Sequence, residues 1–186
     1  MSRRFGTTKQ LATIDGIPLV RHALANAHIA CGDNTALVLG HDWQAVSEAC
    51  APLHGFLIYN DRYEEGLGTS IAQATRSLRH VARAIVVLLA DQPRITPAHL
   101  QSLCTSWSGA DDEIVATSFA NTLGPPVLFP RGCFAELAML TGDQGARKLL
   151  DSGRYRVTLV DFPDAAIDID RPEDLQRLQE RPKSPG

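Results

Sequence analysis

Short, nearly continuous apolar runs alternate along the chain with stretches whose apolar positions recur at helical spacing. That alternation predicts strands interleaved with helices. The clearest run, Ala84-Ile85-Val86-Val87-Leu88-Leu89-Ala90, is rich in β-branched residues and reads as a parallel strand buried on both faces. It ends at Asp91-Gln92-Pro93, where the proline cannot continue a ladder. Shorter runs predict strands at 36–39, 56–59, 114–117 and 127–129, the last two separated by a turn at 121–126. Residues 156–162 alternate as a strand does. Helices are predicted from Pro18 through Ala27, over 42–49, 69–80, 97–107, 133–140 and 144–150, and from Glu173 onward. Residues 2–16 are polar and aperiodic and read as an exposed loop with no strand in front of it. The pattern implies one domain, residues 1–180, of three-layer α/β/α build with a mostly parallel sheet. The charged, proline-broken tail 181–186 is expected to be disordered.

Composition narrows the function classes. An apolar content of 44% over 186 residues is enough for a full α/β core. A net charge of −3 argues against a general polyanion binder, so no nucleic-acid partner is expected and phosphate recognition should be local. No apolar run approaches a membrane span, so no membrane partner is expected. The opening residues lack an apolar secretory core. Cys31, Cys50, Cys104 and Cys133 have no metal-ligand spacing and read as core residues of a reduced, cytoplasmic protein.

Candidate chemistry sits at the ends of these elements. Ligands of open α/β sheets bind at the carboxyl ends of the strands, where Asp91 falls. The competing reading is a turn before a helix capped by Thr96 with Pro97 at its first position. The loop from Ser2 through Arg3, Arg4, Gly6 and Lys9 to Leu11 could neutralise a triphosphate or simply be solvated. Glu65 to Ile71, with Gly66 and Gly68, could bring backbone close to a ligand or be an ordinary helix start. If 167–170 is extended, Asp168 and Asp170 share a side, and a cation would relieve their repulsion; the alternative is an acidic helix-capping turn. Asp143 could cap a helix and pair with Arg147 four positions on.

In order and spacing, these motifs resemble the molybdenum cofactor cytidylyltransferases of the MobA/MocA-type nucleotidyltransferase family. That family's opening signature, L-A-A-G-x-S-x-R-x-G-x-x-K-x-L, is matched by Ser2, Arg4, Gly6, Lys9 and Leu11. Gly16, Pro18, Leu19, Asn60, Gly66, Gly68 and Ser70 continue the match, and Asp91-Gln92-Pro93 resembles its metal-binding D-Q-P. Gly124 and Pro126 fit G-H-P-V-L-F, Gly142 to Arg147 fit G-D-x-G-A-R, and Asp168 to Leu175 resembles D-I-D-T-P-E-D-L. Two departures stand out. Pro125 replaces a frequent histidine, and the first strand with its L-A-A-G loop is missing, which places the expected start upstream.

The resemblance implies a Rossmann-like nucleotidyltransferase fold and transfer of CMP from CTP to molybdopterin with loss of pyrophosphate. It implies Mg²⁺ held by Asp91 and Asp170, with Asp168 as the substitute. Lys9 and Arg4 would act with Asp91 in catalysis. Ser2, Arg4, Lys9, Asn60, Gly68 and Ser70 would bind the nucleotide. Gly124, Pro125, Pro126, Asp143 and Arg147 would face the pterin acceptor. A molybdenum hydroxylase or its maturation factor would receive the product. Alternatives are guanylyl transfer from GTP, cytidylyl transfer to another phosphorylated small molecule, and an inactive relative that carries cofactor. A metal-dependent glycosyltransferase has only the acidic strand end in its favour.

Overall fold

The computed structural model describes residues 8–52, 55–143, 145–169 and 171–180. A short hairpin, β1 (Thr13–Ile14) and β2 (Ile17–Pro18), leads into α1 (Leu19–Cys31). Then come β3 (Ala36–Leu39), α2 (Trp43–Cys50), β4 (Phe56–Tyr59) and α3 (Leu67–Leu78). They are followed by β5 (Ala84–Val87), α4 (Pro97–Ser106), β6 (Glu113–Phe119) and β7 (Thr122–Pro130). Two short helices, α5 (Phe134–Leu137) and α6 (Arg147–Asp151), precede β8 (Arg156–Asp161) and α7 (Pro172–Glu180).

In the larger sheet, β7 runs antiparallel to β5 and β6, while β8 runs parallel to β6. Three of its strands therefore share a direction and β7 alone is reversed, and β3 pairs parallel with β4. This is the mostly parallel sheet that the pattern predicts and the Rossmann-like architecture that the resemblance implies. The two faces of β6 separate by the strand's two-residue period. Ile114 and Ala116 pack with Phe129, Ile71, Leu137 and Leu149 on one side. Val115 packs with Leu128 and Leu103 of α4 on the other. A second core forms where Val20 and Leu24 of α1 meet Leu39, Val46 and Cys50. Farther along α1, Ala27 and Ala30 pack with Val86, Ile95 and Leu100. One helix thus touches both sheets, and among the described residues no strand pairs with both β3 and β5.

Several expected boundaries move. Residues 2–16 are not all loop, because β1 and β2 close on Asp15 and Gly16 at φ 51° and 78°. Asp-Gly supplies the two positive φ angles that a tight hairpin turn needs. The turn placed at 121–126 falls instead at Ala120-Asn121, at φ 46° and 59°, and residues 122–126 belong to β7. The strand predicted over 84–90 as parallel and buried on both faces leaves its ladder after Val87, is half-buried, and among the described residues pairs antiparallel with β7 at the edge of the sheet. The helix expected over 144–150 starts at Arg147 and has Ala146 as its N-cap, so Asp143 is not that cap. Cys50 and Cys133 are buried as expected, but Cys31 is half-buried and Cys104 is exposed. The expected tail 181–186 lies outside the described residues.

Candidate active site

Asp91 follows the free end of β5, and its position is fixed from several directions. Lys9 sits in a tight turn, Lys9–Leu11, closed by the Ala12 N–H on the Lys9 carbonyl at 3.0 Å. The Ala12 carbonyl accepts from the N–H of Leu19, the first residue of α1, at 2.8 Å. Leu11 and Ala90 both pack on the core around Leu39. These contacts deliver the Lys9 ammonium to the Asp91 Oδ2 at 2.8 Å. The Lys9 side chain is only 8% exposed, whereas that of Asp91 is 31% exposed and can still meet a ligand.

The other carboxylate oxygen, Asp91 Oδ1, is buried and has no hydrogen-bond partner among the described residues. Leaving such an acceptor unpaired costs about 1–3 kcal/mol. A hard divalent cation takes this kind of oxygen donor, so the residue fits the metal that the D-Q-P motif implies. Around it, the Ile169 N–H donates to the Asp91 carbonyl at 2.9 Å. That bond brings the exposed Asp168 close to the segment that follows β5, across a long sequence separation. Asp170 itself, like Ser2 and Arg4, lies outside the described residues. Among the described residues no three His, Cys, Asp or Glu side chains gather as a complete cation cage.

Gln92 braces the same corner. Its buried amide donates to the Pro125 carbonyl at 3.1 Å and to the Ala165 carbonyl at 3.2 Å. The turn at 124–126 is held from its other side by Thr117, whose hydroxyl donates to the Pro126 carbonyl at 2.7 Å. Thr117 has one proton and spends it there, so His99 Nε2, at 2.8 Å, must be the donor to Thr117 Oγ1. Burial pushes the His99 imidazole below its ordinary pKa and favours that neutral form. Phe162 stacks on its ring at 4.2 Å. Gly124, Pro125 and Pro126 are therefore fixed beside Asp91-Gln92.

A second wall is built at the ends of β3 and β4. The Asn60 N–H donates to the Leu39 carbonyl at 2.8 Å. The buried Asn60 amide donates to Thr69 Oγ1 at 2.9 Å and Ser70 Oγ at 3.0 Å, and its oxygen accepts from the Arg62 N–H at 3.1 Å. Asn60 thereby braces the start of α3, with both amide hydrogens committed inside the protein. Gly66, at φ 117°, admits the 142–143 loop, because a Cβ there would lie 2.6 Å from the Gly142 oxygen. The Gly68 N–H donates to that oxygen at 2.9 Å. The exposed Asp143 is thus carried to the glycine-rich loop. Arg147 does not pair with Asp143 as expected; it reaches Asp151 at 3.6 Å and the Leu123 carbonyl at 3.1 Å. Thr8, beside Lys9, bonds to Asp42 just beyond β3, so the two walls meet at the Lys9 turn.

The bracing by Thr69, Thr117 and His99 was not expected from the sequence. Polar residues inside apolar segments were the available signal, but nothing in the chain says which turn they would hold.

A mostly parallel sheet with a carboxylate beyond a strand end, paired to a buried lysine, suits binding of a charged ligand, and the family match makes the class a nucleotidyltransferase. The chain belongs to the MobA-like NTP transferase family, whose domain it matches over residues 1–158. It is 30% identical to the purine catabolism protein PucB of Bacillus subtilis, over 96% of this chain and 91% of PucB. Its structure is similar to the crystal structure of Rv0371c from Mycobacterium tuberculosis, with a TM-score of 0.80 and 30% identity. That match covers 97% of this chain and 94% of the other. A manganese complex of Rv0371c matches with a TM-score of 0.76, again at 30% identity, over 95% of this chain and 93% of that one. Molybdopterin-guanine dinucleotide biosynthesis protein A from Archaeoglobus fulgidus shares the fold at 21% identity and a TM-score of 0.65, over 97% of this chain and 93% of its own. Among the described residues no helix is long and apolar enough to cross a membrane.

Proposed function

We propose that this nucleotidyltransferase moves the cytidylyl group of CTP onto the terminal phosphate of a molybdopterin-type acceptor. An acceptor phosphate oxygen attacks the α-phosphorus, the bond from that phosphorus to the bridging oxygen breaks, and pyrophosphate leaves with the electron pair. Positioning and charge neutralisation carry most of such a reaction. Mg²⁺ held by Asp91 with Asp168 or Asp170 would neutralise the phosphate oxygens when bound. Lys9 would add a buried positive charge where the leaving group builds negative charge, and Arg4 and Ser2 are assigned to the same phosphates by the motif they belong to. Gly68 and Ser70, on the wall braced by Asn60, would face the nucleotide. Gly124 to Pro126, Asp143 and Arg147 would face the acceptor. The product would pass to a molybdenum hydroxylase or its maturation factor in the cytoplasm.

The observation that carries this reading is Asp91: ion-paired to Lys9 on one oxygen and buried without a partner on the other. The manganese complex of Rv0371c supports the metal part of the proposal. The test is pyrophosphate release with molybdopterin, Mg²⁺ and each nucleoside triphosphate in turn. CTP is expected to exceed GTP by at least about tenfold in kcat/KM, the worth of one good polar contact. Preference for GTP would replace cytidylyl by guanylyl transfer, and silence with all nucleotides would favour the cofactor carrier.

A further inference from the structure

Helices α1 and α4 lie against each other through a narrow apolar seam. Ala27 and Ala30 of α1 pack with Leu100 of α4 and with Ile95 just before it. The Asn26 amide fastens the same seam by donating to the Ile95 carbonyl at 2.8 Å. On a helix, positions four apart share a face. Cys31 therefore continues the stripe of Ala27, and Cys104 continues the stripe of Leu100. Alanines at the contact let the two backbones approach closely, as a disulfide requires. Neither thiol is sealed off: Cys31 is half-buried and Cys104 exposed, while Cys50 and Cys133 are buried.

We propose that Cys31 and Cys104 form a reversible oxidation site, a thiol pair that peroxide converts to an intramolecular disulfide joining α1 to α4. Hydrogen bonding from Cys104 holds the Cys31 thiol down to about 7, against a smaller upward push from burial. Cys31 is therefore the attacking sulfur, because the thiolate is the nucleophile. Its thiolate attacks one peroxide oxygen, the O–O bond breaks, and the released hydroxide takes up a proton to leave as water. The sulfenic acid so formed is attacked by the Cys104 sulfur. The S–O bond breaks and the second oxygen leaves as water with the Cys104 proton. Two thiols and one peroxide give one disulfide and two waters, with the two electrons passing from sulfur to oxygen.

The seam lies at the far end of α1 from the Lys9 turn and involves none of the residues assigned to nucleotide or metal. Its test is independent of the transfer reaction. The reduced full chain is treated with one equivalent of hydrogen peroxide, and thiols are counted after denaturation. The count should fall by two from four, the intact mass should drop by two hydrogens, and dithiothreitol should restore both. Peptide mapping of the wild-type protein should recover the Cys31–Cys104 cross-link. In Cys104→Ser, dimedone should trap a sulfenic acid on Cys31 with no intramolecular disulfide. Cross-links through Cys50 or Cys133, intermolecular disulfides alone, or singly oxidised thiols in the wild type would each overturn the proposal.

Discussion

The four-stranded sheet and the β3–β4 pair are built to different standards. In the four-stranded sheet, β6 has neighbours on both edges and helices on both faces, and Ile114, Val115 and Ala116 are completely buried. In the β3–β4 pair, Leu39 of β3 and Ile58 of β4 are buried, while Phe56, Leu57 and Tyr59 of β4 are 60%, 48% and 50% exposed. Buried apolar area is the main favourable term in folding, so the first region should be stiff and the second soft. The candidate site straddles the two. Asp91 lies four residues beyond β5, the half-buried edge strand of the larger sheet, and Lys9 sits on the α1–β3 core, on which Ala90 also packs. Their contact ties the segment after β5 to the α1–β3 core.

The largest effect expected is on catalysis. Asp91→Asn keeps an oxygen to accept from Lys9 but removes the charge. Pyrophosphate release should fall by about 10²–10³-fold, in the range for losing one electrostatic stabiliser. The urea midpoint should barely move.

Next come the two sheets themselves. Phe129→Ala opens a cavity in the four-stranded core and should cost about 3–5 kcal/mol in urea unfolding. Leu57→Ala, on the half-exposed face of β4, should cost less than about 1 kcal/mol. Equal costs would dissolve the contrast.

A smaller effect sits at the edge of the stiff region. Buried Glu113 accepts from the Ser108 hydroxyl and N–H and from the Thr158 hydroxyl, with Arg156 nearby. These bonds, led by Ser108, hold its carboxyl down to about 2. The unfolded value is about 4.3, so below that pH the unfolded chain binds the extra proton and stability drains away toward pH 2. Glu113→Gln should cost on the order of 1–3 kcal/mol at neutral pH. The gap from the wild type should close as the pH falls from about 4.3 toward 2, followed by urea titration at each pH.

The alternation of apolar runs and helical stripes was enough to read the layers, because burial on two faces writes itself into Ile114–Thr117, whereas the equally apolar Ala84–Val87 is only half-buried and pairs antiparallel with β7. Where strands stop was not legible. Leu88 and Leu89 look like strand but leave the ladder, Leu88 packing with Ile95 and Leu100, and Thr122 to Gly124 look like a turn but pair with β6, with a bulge before Val127. The Asp15-Gly16 hairpin was legible and went unread. In the candidate site, motif order picked out Asp91 and Lys9, which pair, and Asp168, whose neighbour Ile169 bonds to the Asp91 carbonyl. The partners of Arg147 and the bracing by Gln92 and His99 depend on which loops meet, and only tertiary packing decides that.

The central claim is that Asp91, positioned by Lys9, is the point at which a divalent cation joins the two regions. Mn²⁺ titration followed by electron paramagnetic resonance tests it without any substrate. The wild-type protein should bind the ion at one site, and Asp91→Asn should weaken that binding by at least about tenfold. Identical Mn²⁺ titrations for the two proteins would contradict the account.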